Sequence, residues 1–156
     1  MDPGIAGTGY GLIEPGPTGV TVVTSGVIAT AAGEELEARL HRIYDAVAGL
    51  LAEHAPSTVA LEDLYTSYRF PRAALALAHA RGVVCLAARQ RGVTVLNLAP
   101  AEVKRFIAVN GAASKAQVQR SVERLLRLPG PPRPSHVADA LALALTGFSR
   151  LGGRIQ

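Results

Sequence analysis

The sequence predicts an α/β fold, a mixed sheet with helices on its faces. Three observations carry that reading. Thr8–Glu14 and Val20–Thr30 are rich in Gly, Thr, Val and Ile, the composition of strands. An apolar repeat of helical period follows them. Two short apolar runs then alternate with helix-like segments, which is the order of a βαβα unit.

Pro15-Gly16-Pro17 and Ser25-Gly26 are turn signals, and they divide the first region into an antiparallel meander of three strands. Leu36, Leu40, Ile43, Val47 and Leu50 mark an amphipathic helix over Glu34–His54, which Pro56-Ser57 ends. Thr58–Leu61 is a short apolar strand running into Glu62-Asp63. Pro71 opens an Ala-rich helix to Gln90 with Gly82 inside it, and its small residues make it the candidate dimer face. Gly92 and Thr94–Leu98 give the fifth strand. Pro100 starts a helix to about Val109, Asn110-Gly111 breaks it, and Ser114 caps another to about Leu128. Pro129–Pro134 is a stiff linker, and Ser135 is the expected N-cap of a last helix to Arg150. Residues 1–150 are thus expected to form one domain, with 151–156 as a flexible tail.

With 156 residues, 49% hydrophobic and 18% charged, the chain has the size and composition of one globular domain. The single cysteine, Cys85, excludes an intramolecular disulfide and a cysteine zinc site. No apolar run approaches the ~20 residues of a membrane-spanning helix, and Asp2-Pro3-Gly4 does not begin a signal peptide. A cytoplasmic protein with no membrane partner is expected.

Charge is divided along the chain. Residues 1–63 carry −7 and residues 64–156 carry +11, which together give the net +4. So basic a second half is the electrostatic footprint of a phosphate-backbone partner. Fourteen of the sixteen basic residues are Arg, and the only lysines are Lys104 and Lys115. A chain that uses Arg almost everywhere keeps Lys where a compact, flexible ammonium serves better than a planar fork.

There are only four aspartates, so their positions are informative. Asp2 precedes Pro3-Gly4 at the start of the first strand. Glu62 closes an apolar strand, where burial of a carboxylate is costly unless it meets a cation. His136 and Asp139 stand i, i+3 at the start of the last helix and so share one face. Three carboxylates and one imidazole of this kind suit Mg²⁺ or Mn²⁺. Taken singly, each residue has an ordinary alternative as a turn, strand-end or helix-terminus group; their joint placement favours a site.

Six segments then appear in order: Asp2-Pro-Gly-Ile-Ala-Gly-Thr-Gly-Tyr-Gly, Ala60-Leu-Glu-Asp-Leu-Tyr65, Ala80-Arg-Gly82, Val103-Lys104, Ser114-Lys-Ala-Gln-Val118 and Pro134-Ser-His-Val-Ala-Asp-Ala-Leu-Ala-Leu143. Along essentially the whole chain they resemble the RuvC family of crossover junction endodeoxyribonucleases, the Holliday junction resolvases. The resemblance implies a ribonuclease H-like five-stranded mixed sheet flanked by helices. It further implies a homodimer that nicks two opposed strands of a four-way DNA junction in recombination and repair, with two Mg²⁺ or Mn²⁺ ions per active site. The family's catalytic acids fall on Asp2, Glu62 and Asp139, and its fourth position, commonly aspartate, falls on His136. Lys104 and Lys115 match basic positions used on DNA, Lys115 or Lys104 being expected to balance charge on the scissile phosphate, and Tyr65 matches an aromatic position that handles junction bases. Tyr68, Arg69 and Arg72 lie close by and extend a stacking and phosphate-gripping loop. A branch-migration helicase complex, RuvA-RuvB, is the partner the family implies.

One departure stands out. Family members carry a short apolar run before the first aspartate, whereas this chain begins Met1-Asp2. A mis-assigned start or a truncation is expected, with a charged α-amino group beside the site. The rival readings are a related ribonuclease H-like nuclease acting on RNA, a non-catalytic junction-binding module disabled by the shortened first strand, and an actin-like phosphotransferase suggested by Gly7-Thr8-Gly9. The last needs two such domains, and the length supplies one.

Overall fold

In the computed structural model, which describes residues 1–17, 19–64, 71–108 and 113–155, the chain opens on a long hairpin. Strand β1 (Gly7–Gly16) pairs antiparallel with β2 (Gly19–Ala29), with a register shift at Leu12/Ile13. Ser25-Gly26 does not break β2, so the meander has two strands rather than the three expected. Gly26 lies opposite Tyr10, and a Cβ built there would meet the Tyr10 hydroxyl at 2.6 Å. The glycine makes room for a ring across the ladder; it does not turn the chain.

Helix α1 (Leu36–His54) follows, then β3 (Thr58–Glu62), helix α2 (Pro71–Gln90), β4 (Thr94–Leu98) and helices α3 (Pro100–Ala108), α4 (Lys115–Leu125) and α5 (Ser135–Arg150). Strands β3 and β4 are parallel, with Glu62 opposite Leu98. Residues 1–2 stand between the two strand pairs. Asp2 exchanges two backbone hydrogen bonds of 2.9 Å with Gly9 of β1, and the Met1 α-amine donates to the Ala60 carbonyl of β3 at 2.5 Å. The described residues thus form four strands in two two-stranded sheets, antiparallel β1–β2 and parallel β3–β4, rather than the one five-stranded mixed sheet expected, because only residues 1–2 link the two pairs. Beside that link, a cleft of about 590 Å³ opens between β1 and β3, lined by Leu12, Val23, Leu50, Val59 and Phe148 among others.

Helices cover both faces. Side chains alternate across β3, so Val59 and Leu61 face one way and Ala60 the other. Val59 and Leu61 pack with Ile43, Val47 and Leu51 of α1 and Ala80, Val84 and Ala87 of α2. Ala60 and Leu98 pack with Val103, Val118, Val122, Leu141 and Leu145 from α3, α4 and α5. The buried stripe of α1 ends on Leu51, with Leu50 only partly buried against the same core, and Leu36 is exposed.

Two caps differ in kind. Ser114 caps α4 as expected, accepting from Gln117 N while the Gln117 side chain returns to Ser114 N. Ser135 does not cap α5: Pro134 holds the N-cap position and Ser135 is the first helical residue. The proline ring carries no hydrogen-bond acceptor, so no side-chain cap forms there. Beyond α5, Gly153 N donates to Phe148 O, and Ile155 rests on the α3–α5 core. Among the described residues no helix is long and apolar enough to cross a membrane.

Candidate active site

The C-terminal ends of the parallel strands are where α/β sheets place ligands, and here the acidic residues gather. Asp2 is fixed by its bridge to Gly9. A Cβ on Gly9 would run into the His136 carbonyl oxygen, so the glycine allows the first turn of α5 to dock directly on β1. That docking brings His136 Nδ1 to 2.8 Å from Asp2 Oδ2. Asp139, one turn further along α5, and Glu62, the last residue of β3, are each partly buried.

Electrostatics tie the four together. Burial pushes the Glu62 carboxyl up, and the negative charges of Asp2 and Asp139 push it further. Burial likewise raises Asp139, with Asp2 adding to it. Lys104 and Lys115 pull both carboxyls back, as His136 does for Asp139. The two lysines of the chain therefore face one acidic cluster, although they come from different helices. Both are exposed. Lys115 is the first residue of α4, where a cation opposes the helix dipole at a cost of about 0.3–1 kcal/mol. The Ser114 capping box offsets that cost.

The Met1 α-amine is buried beside Asp2, and desolvation lowers it from its usual 8.0 to about 5. It is therefore neutral at pH 7, not the charged group expected from the sequence.

Among the described residues no three His, Cys, Asp or Glu side chains converge closely enough to hold one ion in this arrangement. Asp2 and His136 are in contact, while Glu62 and Asp139 are linked to Asp2 through charge. The donor set nevertheless fits a hard divalent cation: oxygen-rich, partly desolvated, and carrying mutual repulsion that a cation would relieve.

Arg72 is exposed on the first turn of α2. Tyr65, Tyr68 and Arg69 lie outside the described residues. Two contributors escaped the sequence reading. Gly9 was visible only as one of several strand glycines. Arg81 sits inside the Ala80-Arg-Gly82 motif without an assigned role, yet its guanidinium donates to the Glu62 carbonyl.

The family model for "Crossover junction endodeoxyribonuclease RuvC" matches residues 1–147. A protein of that description from Rhodopirellula baltica is 40% identical over 147 residues, covering 94% of this chain and 83% of its own length. Another, from Moorella thermoacetica, is 43% identical over 145 residues, covering 93% and 86%. Thermus thermophilus RuvC has a similar structure, with a TM-score of 0.85 at 35% identity over 98% of this chain and 95% of that one. The same protein in complex with a Holliday junction substrate matches with a TM-score of 0.88 at 36% identity, covering 98% and 94%.

Proposed function

The chain belongs to the RuvC family of crossover junction endodeoxyribonucleases, with a ribonuclease H-like fold, and we propose that its acidic cluster resolves four-way DNA junctions by metal-dependent phosphodiester hydrolysis. The observation that carries the reading is the meeting of Asp2 and His136 at 2.8 Å, with Glu62 and Asp139 beside them raised by burial first and by the charge of Asp2 second.

Asp2, Glu62, Asp139 and His136 would together hold the divalent ions, two per active site. Mg²⁺ or Mn²⁺ held there would supply charge neutralisation and activate a water. Hydrolysis would add that water across the P–O3′ bond, its hydroxide to phosphorus and its proton to the departing 3′ oxygen, leaving a 5′-phosphate and a 3′-hydroxyl. Lys115 and Lys104 balance charge on the scissile phosphate, and Tyr65, Tyr68, Arg69 and Arg72 supply stacking and backbone contacts. We take residues 1–150 as the nuclease domain, acting in the cytoplasm beside a RuvA-RuvB type branch-migration complex.

Two symmetric nicks need two sites, and a two-fold dimer supplies them. The outer face of α2 fits a second copy of this chain. Leu75 and Leu86 are 61% and 53% exposed, and Ala78, His79 and Gly82 lie exposed between them at helical spacing. Small residues there let two helices approach closely.

The test is a synthetic four-way junction incubated with the protein and Mg²⁺ or Mn²⁺. Paired nicks at symmetric positions are expected. Equal cleavage of an RNA–DNA hybrid, or no cleavage of the junction, would overturn the reading.

A further inference from the structure

Arg81 makes four polar contacts, and none of them is with a carboxylate of the acidic cluster. Its side chain is only 17% exposed. Nε donates to the Glu62 carbonyl at 3.1 Å, and Nη2 donates to Asn97 Oδ1 at 2.6 Å. Nη2 also lies 3.7 Å from Asp63 Oδ1, and Nη1 lies 3.8 Å from Cys85 Sγ one turn along α2. Asn97 sits on β4 opposite Leu61, and Asp63 N donates to Leu98 O. The guanidinium thus joins three elements where β3 stops: the main chain of Glu62, a side chain of β4, and α2.

We propose that Arg81 is a positioning residue that sets the Glu62 carboxylate for metal binding by clamping the Glu62 main chain. The inference rests on the metal-site reading given above. Glu62 is the last residue of β3, one further ladder bond follows it from Asp63 N to Leu98 O, and its own carbonyl is taken up by Arg81. A planar fork with donors at fixed angles holds a carbonyl and an amide oxygen together, which a single ammonium does not do. Arg81 acts on geometry rather than charge. The charges that move the Glu62 carboxyl are those of Asp2, Asp139, Lys104 and Lys115. Asn97, a residue disfavoured in strands, is explained as the second anchor of the fork.

The experiment measures Mn²⁺ affinity by electron paramagnetic resonance of the free ion, together with junction binding in EDTA, for the parent and for Arg81→Ala, Arg81→Lys and Asn97→Ala. Loss of an outer-shell partner typically weakens metal binding about 10–100-fold. Arg81→Ala is expected to fall in that range with junction affinity in EDTA unchanged. Arg81→Lys should recover only part of the loss, and Asn97→Ala, which leaves the Glu62 bond in place, should lose less than Arg81→Ala. Unchanged Mn²⁺ affinity in folded Arg81→Ala, or full recovery by Arg81→Lys, would overturn the clamp. If Arg81→Ala does not fold, Arg81→Lys and Asn97→Ala decide alone: parent-like affinity in both overturns the proposal. A parent protein that binds no Mn²⁺ would instead overturn the metal-site reading.

Discussion

His136 Nδ1 stands 2.8 Å from Asp2 Oδ2, so the first turn of the last helix touches the second residue of the chain. Adjacent ligands on an octahedral ion with bonds near 2.1 Å are separated by about 3 Å. A separation of 2.8 Å would suit two ligands of one ion. Imidazole is a softer ligand than carboxylate and adds no negative charge, which favours Mn²⁺ over Mg²⁺. His136→Asp is expected to lower the ratio of Mn²⁺-supported to Mg²⁺-supported nicking rates several-fold. Equal ratios in both proteins would make His136 a bystander at the helix terminus.

Gly9 creates that contact. Any side chain there meets the His136 main chain, so Gly9→Ala must push α5 away from β1. Overpacking of this kind costs about 1–3 kcal/mol, and the displacement also separates His136 from Asp2. The expected outcome is a lowered Tm together with weakened Mn²⁺ binding in the folded fraction. A stable variant with parent-like metal affinity would show that α5 has slack the structure does not suggest.

Glu62→Gln keeps the shape of the side chain and removes a charge that faces Asp2 and Asp139. Nicking should fall by at least a hundredfold while junction binding holds or tightens, because less negative charge meets the phosphates. The raised carboxyls also predict a proton effect. Cation binding favours the charged forms of Glu62 and Asp139, so it releases protons and grows stronger as pH rises through their range. Calorimetry in buffers of different ionisation enthalpy measures that release, and Glu62→Gln should reduce it.

Lys104→Ala and Lys115→Ala should each weaken junction binding and lower its salt slope by about one unit, as expected for a lost phosphate contact. Both should also leave Glu62 and Asp139 higher still, since each lysine pulls them down. Binding measured between 50 and 300 mM salt decides the matter; parallel slopes for parent and variants would remove the lysines from the DNA path.

The acids and lysines were legible in the sequence for a physical reason. Asp2, Asp139, Lys104 and Lys115 belong to residue types the chain uses sparingly, and Glu62 ends an apolar strand where a carboxylate needs a cause. Gly26 was misread because one letter serves both a turn and a close approach, and only the partner Tyr10 distinguishes them. Leu50 and Leu51 both satisfy a helical period, so the burial of Leu51 depends on where α2 lies. Arg81 was quoted within a motif but given no role, because its main partner is a backbone carbonyl nineteen residues away. Periodicity and composition carry no record of such a bond.

The Met1 amine offers the sharpest pH prediction for the metal-free protein. Its pKa falls from 8.0 to about 5 on folding because burial penalises the charged form. Between those values the unfolded chain binds a proton that the folded chain does not, so stability from this group rises with pH. The slope is at most about 1.4 kcal/mol per pH unit. The benefit is complete above pH 8 and lost as pH falls toward 5. Raised Glu62 and Asp139 act with the opposite sign, since the folded state holds their protons more tightly, so the amine must be isolated by difference. Nα-acetylation leaves an N–H to donate to the Ala60 carbonyl and removes the titration, so the acetylated chain should lose the slope between pH 5 and 8. A short apolar extension ahead of Met1 should do the same and add a pH-independent rise in Tm by filling the cleft between β1 and β3 beside Leu12, Val59 and Phe148. Urea unfolding of the three chains across pH 5–8 measures both effects. Identical stability profiles for all three would mean that the amine is solvated and that the cleft gains nothing from a strand.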